Sequence, residues 1–154
     1  MRVAGKGRLK PLLRAGITRR RFFLAISLIA SVEACRPAQP RAIRQRSDTF
    51  MFRITSEPDR PYAREEILYK IVVLDAESNQ PIENGEGRIF AENRDRAKTY
   101  DAMERGPEVA TYYAKLEYVT AGEWAVAIQF RRDSLAPLER IDWTQQVFEE
   151  RSAP

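Results

Sequence analysis

The chain has 154 residues, a formal net charge of +4, a single cysteine and no histidine. Without histidine it lacks the commonest general base and transition-metal ligand, and one cysteine allows no internal disulfide. The charge is uneven: residues 1–21 hold eight Lys or Arg and no acid, whereas from Asp48 onward 14 basic residues face 21 acidic ones, a net of −7. An acidic body excludes nucleic acid as a partner, because nucleic-acid binding needs a basic stripe.

Residues 22–32, FFLAISLIASV, follow the basic stretch as an uncharged, mostly apolar run of eleven. That is too short for a hydrocarbon core, which takes about 20 apolar residues, but it suits the apolar part of a signal peptide, about 7–15 residues long. Thr18-Arg19-Arg20-Arg21-Phe22-Phe23 resembles the twin-arginine export motif, with Arg19 and Arg20 as its arginines. Val32-Glu33-Ala34-Cys35 resembles a bacterial lipobox, which implies a diacylglyceryl group on the Cys35 thiol and cleavage ahead of it. Glu33 departs from the small or apolar residue usual two places before that cysteine. One acyl chain anchors only marginally, so two chains on one residue meet the physical need. Residues 1–34 are therefore expected to be a helical signal segment, and the partner of Cys35 is the membrane.

Residues 36–47, RPAQPRAIRQRS, contain two prolines and four arginines without an acid. With Cys35 they read as a basic linker, solvated or resting on anionic headgroups, and able to span about 40 Å. A domain is expected over residues 48–154, where about 105 residues suffice for one core and not for two.

Strand-like segments then alternate with turn signals. TFMFRIT (49–55) precedes a proline-broken stretch. EILYKIVVLD (66–75) is apolar on both faces, as a central strand is. AESNQPIENGEG forms a turn region; GRIFAEN (87–93) is short, and an edge strand fits near residues 97–103. VATYYAKLEYV (109–119) sets Tyr112, Ala114, Leu116 and Tyr118 on one face. EWAVAIQFRR (123–132) alternates Trp124, Val126, Ile128 and Phe130, the cleanest strand signal in the chain. RIDWTQQVFE (140–149) fits a last strand or a short helix, the strand being favoured. Together these predict an all-β fold, an immunoglobulin-like antiparallel β-sandwich of about six to seven strands.

The stretches DAESNQPIENGEGRIF and ATYYAKLEYVTAGEWAVAIQF resemble the small exported domains of the YtkA-like and FixH-like group over roughly residues 50–132. The matching positions are Asp75, Pro81, Ile82, Tyr112 or Tyr113, Ala114, Gly122 and Trp124. Where members of that group often carry a methionine-rich Met-Pro segment, this chain reads YDAMERGP. The resemblance implies a β-sandwich associated with membrane respiratory and copper-handling systems.

Three constellations bear on chemistry. Glu65 and Glu66, with Asp75 and Glu77, are weighed as paired carboxylates, but strand neighbours point to opposite faces, so they read as a charged edge. Asp95, Asp101 and Glu104 beside Met103 offer oxygen ligands without the spacing of a calcium loop. Tyr112, Tyr113, Tyr118, Trp124 and Trp143 form either a binding face or, more in keeping with their period of two, the core. No nucleophile has a base beside it and no phosphate-binding glycine loop occurs. No catalytic, cofactor-binding or metal-binding residue is assigned. The expectation is a lipid-anchored, non-catalytic interaction or assembly domain of the cell envelope with another envelope protein as partner. An exported small-ligand or metal-binding module is the alternative.

Overall fold

A computed structural model describes residues 41–151 of the chain. Nine strands follow one another: β1 (Ile43–Arg46), β2 (Phe50–Glu57), β3 (Glu66–Asp75), β4 (Glu86–Asn93), β5 (Lys98–Ala102), β6 (Glu104–Arg105), β7 (Thr111–Glu117), β8 (Gly122–Arg131) and β9 (Glu139–Val147). They form two antiparallel sheets, β1-β2-β3-β7-β6 and β5-β4-β8-β9. Without the short β1 and β6, the strands divide as β2-β3-β7 against β5-β4-β8-β9, the division of an immunoglobulin-like sandwich. The expected strand count holds for these longer strands, and two short edge strands add to it.

Period-two patterning determines the packing. Ile67, Tyr69, Ile71 and Val73 of β3, Tyr112, Ala114 and Leu116 of β7, and Trp124, Val126, Ile128 and Phe130 of β8 are all buried. Aromatic rings carry the contact between sheets: Phe130 of β8 meets Phe50, Phe52 and Tyr112 edge-on, with centroids 5.1, 5.9 and 5.2 Å apart. Edge-to-face geometry suits the ring quadrupoles. The core draws on residues from Phe50 to Val147, and every strand pairs within residues 43–147, so residues 41–151 supply their own core and hydrogen-bonding partners.

The β3–β4 connection, which holds Asn84-Gly85, carries the chain from one sheet to the other rather than closing a hairpin. A Cβ on Gly85 would lie 2.1 Å from the Phe130 ring, so only glycine fits there. Gly122 starts β8 at φ +118°, a backbone conformation that L side chains rarely adopt.

One expectation changes. Residues 43–46, assigned to the linker, form the edge strand β1 against β2, with Ile43 packing on the core. Its alternation is Ile, Arg, Gln, Arg, so backbone pairing rather than an apolar face holds it, and the apolar pattern gives no sign of it. The last segment is strand β9, as favoured, with Ile141, Trp143 and Val147 turned inward.

Candidate functional site

Cys35, Arg19 and Arg20, the predicted lipid-attachment and export residues, lie outside the described residues. Among the described residues no helix is long and apolar enough to cross a membrane. The other sequence-derived candidates fall inside and can be placed.

The carboxylates do not converge. Glu65 pairs with Arg151, and Glu66 with Lys115 at 2.9 Å. Asp75 accepts hydrogen bonds from Ser78 N (2.9 Å), Ser78 Oγ (2.8 Å), Glu77 N (3.1 Å) and Arg132 Nη2 (2.6 Å). The Ser78 bonds, then the Arg132 guanidinium, hold its carboxyl well below the usual carboxylate range. It lines a cleft of about 280 Å³ with Thr49, Arg132 and Glu139 at one end of the sandwich. Glu139 in turn accepts from Thr49 N (3.1 Å) and Thr49 Oγ1 (2.5 Å). Its polar groups already hold one another, so the cleft ties the β1–β2, β3–β4 and β8–β9 connections together.

The cation candidate dissolves in the same way. Asp101 Oδ2 accepts from Lys115 N at 2.7 Å, on the β7 edge beyond the reach of β6, and Oδ1 accepts from Ala102 N. A carboxylate over an unpaired strand N–H blocks edge-to-edge pairing. Met103 is buried in the core. Among the described residues no group of three or more His, Cys, Asp or Glu is placed to hold a metal ion.

Of the five aromatics, Tyr112, Tyr118, Trp124 and Trp143 are core, and Tyr113 lies outward beside Lys70 and Glu108. Tyr69 and Tyr118, both fully buried, share an O–H···O bond of 2.6 Å. Burial pushes the Tyr69 hydroxyl up to about 12 and the Tyr118 hydroxyl higher still, so the pair stays neutral over the ordinary pH range. Trp124 Nε1 donates to Thr120 O at 3.0 Å, whereas the buried Trp143 Nε1 has no partner among the described residues.

What remains is the outer face of the four-stranded sheet. Ile89 and Ala91 turn into the core, so Phe90 between them turns outward. The register places Tyr100 of β5 opposite Phe90 on one side and Ala127 of β8 on the other. Tyr100 is 79% exposed. Guanidinium groups flank the Phe90 ring, Arg140 at 5.1 Å and Arg88 at 5.7 Å from its centroid. Each is fixed from behind: Arg140 Nε and Nη2 donate to Asp142 Oδ1 at 2.9 and 2.5 Å, and Arg88 Nε donates to Gln129 Oε1 at 2.8 Å. A shallow hollow of about 230 Å³ opens on the β4–β5 side of the face between Arg88, Phe90, Glu92, Lys98 and Tyr100, with Lys98 paired to Glu92 at 3.5 Å. Preset aromatic and arginine side chains around a hollow are the composition of energetically dominant contact residues. Chemically the face can stack on planar or apolar groups and donate hydrogen bonds; it holds no nucleophile beside a base.

Sequence reading missed this face. In GRIFAEN both Ile89 and Phe90 are apolar, so the phase of the strand is open, and Arg140 joins the face from fifty residues downstream through the β8–β9 hairpin.

No family model and no curated protein matches the chain. Among solved structures, it is similar to a DUF4426 family protein from Pseudomonas aeruginosa PAO1. The TM-score is 0.55 at 9% identity, over 71% of this chain and 97% of that one. It is also similar to a copper-bound variant of FetP from uropathogenic Escherichia coli strain F11, with TM-score 0.50 and 11% identity over 75% of this chain and 95% of that one. At these identities the likeness concerns the fold.

Proposed function

We propose that the protein is an exported, lipid-anchored, non-catalytic interaction domain. It meets another envelope protein through the outer face of β5-β4-β8-β9, beside a membrane respiratory or metal-handling complex. The observation that carries this reading is the Phe90 ring with the Arg88 and Arg140 guanidiniums against it and the exposed Tyr100 opposite. The export and lipid part rests on the basic, apolar, Ala34-Cys35 order of the first 35 residues and on the lipobox resemblance. The likeness to the YtkA-like and FixH-like group is in keeping with a place near such a complex.

The copper-bound state of FetP raises the alternative of a metal carrier. The donors here do not suit copper. The described residues contain no histidine and no cysteine, Met103 is buried in the core, and Met51 lies on the outer face of the other sheet. Contact with a protein is the better use of this fold.

A photoreactive amino acid introduced at Tyr100, and separately at Glu57 on the other sheet, tests the face in cells. The expected result is a discrete protein adduct from position 100 that Phe90→Ala weakens, with none from position 57. Equal adducts from both positions, or none from position 100, would refute the assignment. Cys35→Ser tests the anchor: it should abolish labelling by fatty-acid analogues, and persistent labelling would overturn the lipid assignment.

A further inference from the structure

The body from Asp48 onward is acidic, yet residues 41–53 hold four arginines and one acid. Strand pairing gathers three of these arginines. Arg44 of β1 lies directly opposite Arg53 of β2, and Arg46 lies one outward position along, opposite Met51. Both rows continue onto β3, where Arg53 faces Val72 and Met51 faces Leu74. The outer face of β1-β2-β3 therefore carries three guanidiniums beside the half-buried apolar side chains Met51, Val72 and Leu74.

Ten other basic side chains among the described residues have a carboxylate within 4.0 Å, including the neighbouring Lys70 with Glu108. Arg44, Arg46 and Arg53 have none among the described residues, as Arg41, Arg60, Arg88 and Arg96 have none, and of these seven they are the three that strand pairing sets side by side on one sheet face. Like charges directly opposite one another destabilise a strand pair, and an isolated edge strand gains nothing from holding them there. An external anion turns that repulsion into attraction.

We propose that this face docks on the anionic phospholipid headgroups of the bilayer, with the three arginines at headgroup level and Met51, Val72 and Leu74 at the interface. This rests on the lipid-anchored reading in one respect: Ile43 is eight residues past Cys35, so β1 lies within about 28 Å of an acylated cysteine. Surface charges act only over a Debye length of about 8–10 Å, and the anchor keeps the face near enough to engage. Apolar residues between the cations favour a bilayer over an acidic protein, because a headgroup layer offers both anions and an apolar boundary. The sandwich then lies on its basic sheet, and the Phe90 face of the opposite sheet turns away from the membrane toward a partner.

The test removes the anchor, so the surface is read independently of acylation. Residues 36–154, which contain the self-sufficient sandwich, are mixed with phosphatidylcholine vesicles with and without 30% phosphatidylglycerol, and sedimented. Binding is expected to the anionic vesicles only and to fall steeply as NaCl is raised. Arg44→Gln/Arg46→Gln/Arg53→Gln should reduce partitioning about 100-fold, roughly fivefold per arginine. It should also melt no lower than the parent, since relieving the repulsion removes no core contact. A charge-matched control, Arg60→Gln/Arg94→Gln/Arg96→Gln, should bind like the parent. Equal binding by both variants, equal binding to neutral vesicles, or binding to polyglutamate but not to vesicles would overturn the proposal. Fatty-acid labelling that persists in Cys35→Ser, or that the unmutated chain never shows, would overturn the anchor and leave this surface standing.

Discussion

Removing the hydroxyl of Tyr69 or Tyr118 should cost more than removing both. Their oxygens lie 2.6 Å apart and both residues are fully buried. Tyr69→Phe leaves the Tyr118 hydroxyl, and Tyr118→Phe the Tyr69 hydroxyl, without its only partner among the described residues. A buried polar group stripped of its partner costs about 1–3 kcal/mol, whereas replacing both partners by apolar groups of the same shape is nearly neutral. Each single variant should lose about 1–3 kcal/mol, and the double variant less than either. Urea titrations of residues 36–154 read by tryptophan fluorescence measure all four corners of the cycle, with Trp124 5.1 Å from Tyr118 and Trp143 6.4 Å from Tyr69. The pair also sets an alkaline limit. Burial raises both hydroxyls above the unfolded value of about 10, so above that pH the unfolded chain releases protons that the folded one keeps. Stability is intact below pH 10 and falls as pH rises toward the folded values, and the double variant loses this dependence. Single variants that cost nothing, or a double cost equal to the sum, would refute the reasoning.

Trp124→Ala removes a fully buried ring, its Nε1 bond to Thr120 O and its edge contact with Tyr118, for a loss of about 3–5 kcal/mol in chemical denaturation. Glu123→Ala, on the exposed face, should cost less than about 0.5 kcal/mol. Asp75→Asn should lower stability near neutrality and flatten the acid limb. The depressed folded value of Asp75 contributes stability above about pH 4 that is lost as pH falls through it, and acid titration followed by circular dichroism reads the difference. Replacing Arg19 and Arg20 with lysine should block export, as read by cell fractionation; unimpaired export would point to the general secretory route.

Legibility in the sequence tracked how much of each strand's stability comes from side chains. β3, β7 and β8 bury one whole face, so the period of two shows in their residues and their inward sets follow from the sequence. Burial likewise decides between the two readings of the aromatics, because Tyr112, Tyr118 and Trp124 alternate in phase with aliphatic core residues. β1 and β6 are different in kind. Ile-Arg-Gln-Arg and Glu-Arg hold their places by backbone pairing to β2 and β7, and backbone hydrogen bonds leave no mark on residue identity.

The two outward faces were hidden for the same reason. A surface is assembled by register, and register depends on turns and on the partner strand. Phe90, Tyr100 and Arg140 come from three strands, and Arg44, Arg46 and Arg53 from two separated by a short connection. Once paired, the sheets differ in charge design. Arg140 and Arg88 are braced by Asp142 and Gln129 against a ring, which suits the proposed contact with a partner of defined shape. Arg44, Arg46 and Arg53 have no such brace and stand beside open apolar side chains, which suits a fluid surface where headgroups rearrange around the protein. An anchored domain with one of each can be held flat by one sheet while the other selects its partner. Orientation on the membrane would then follow from the fold rather than from the linker.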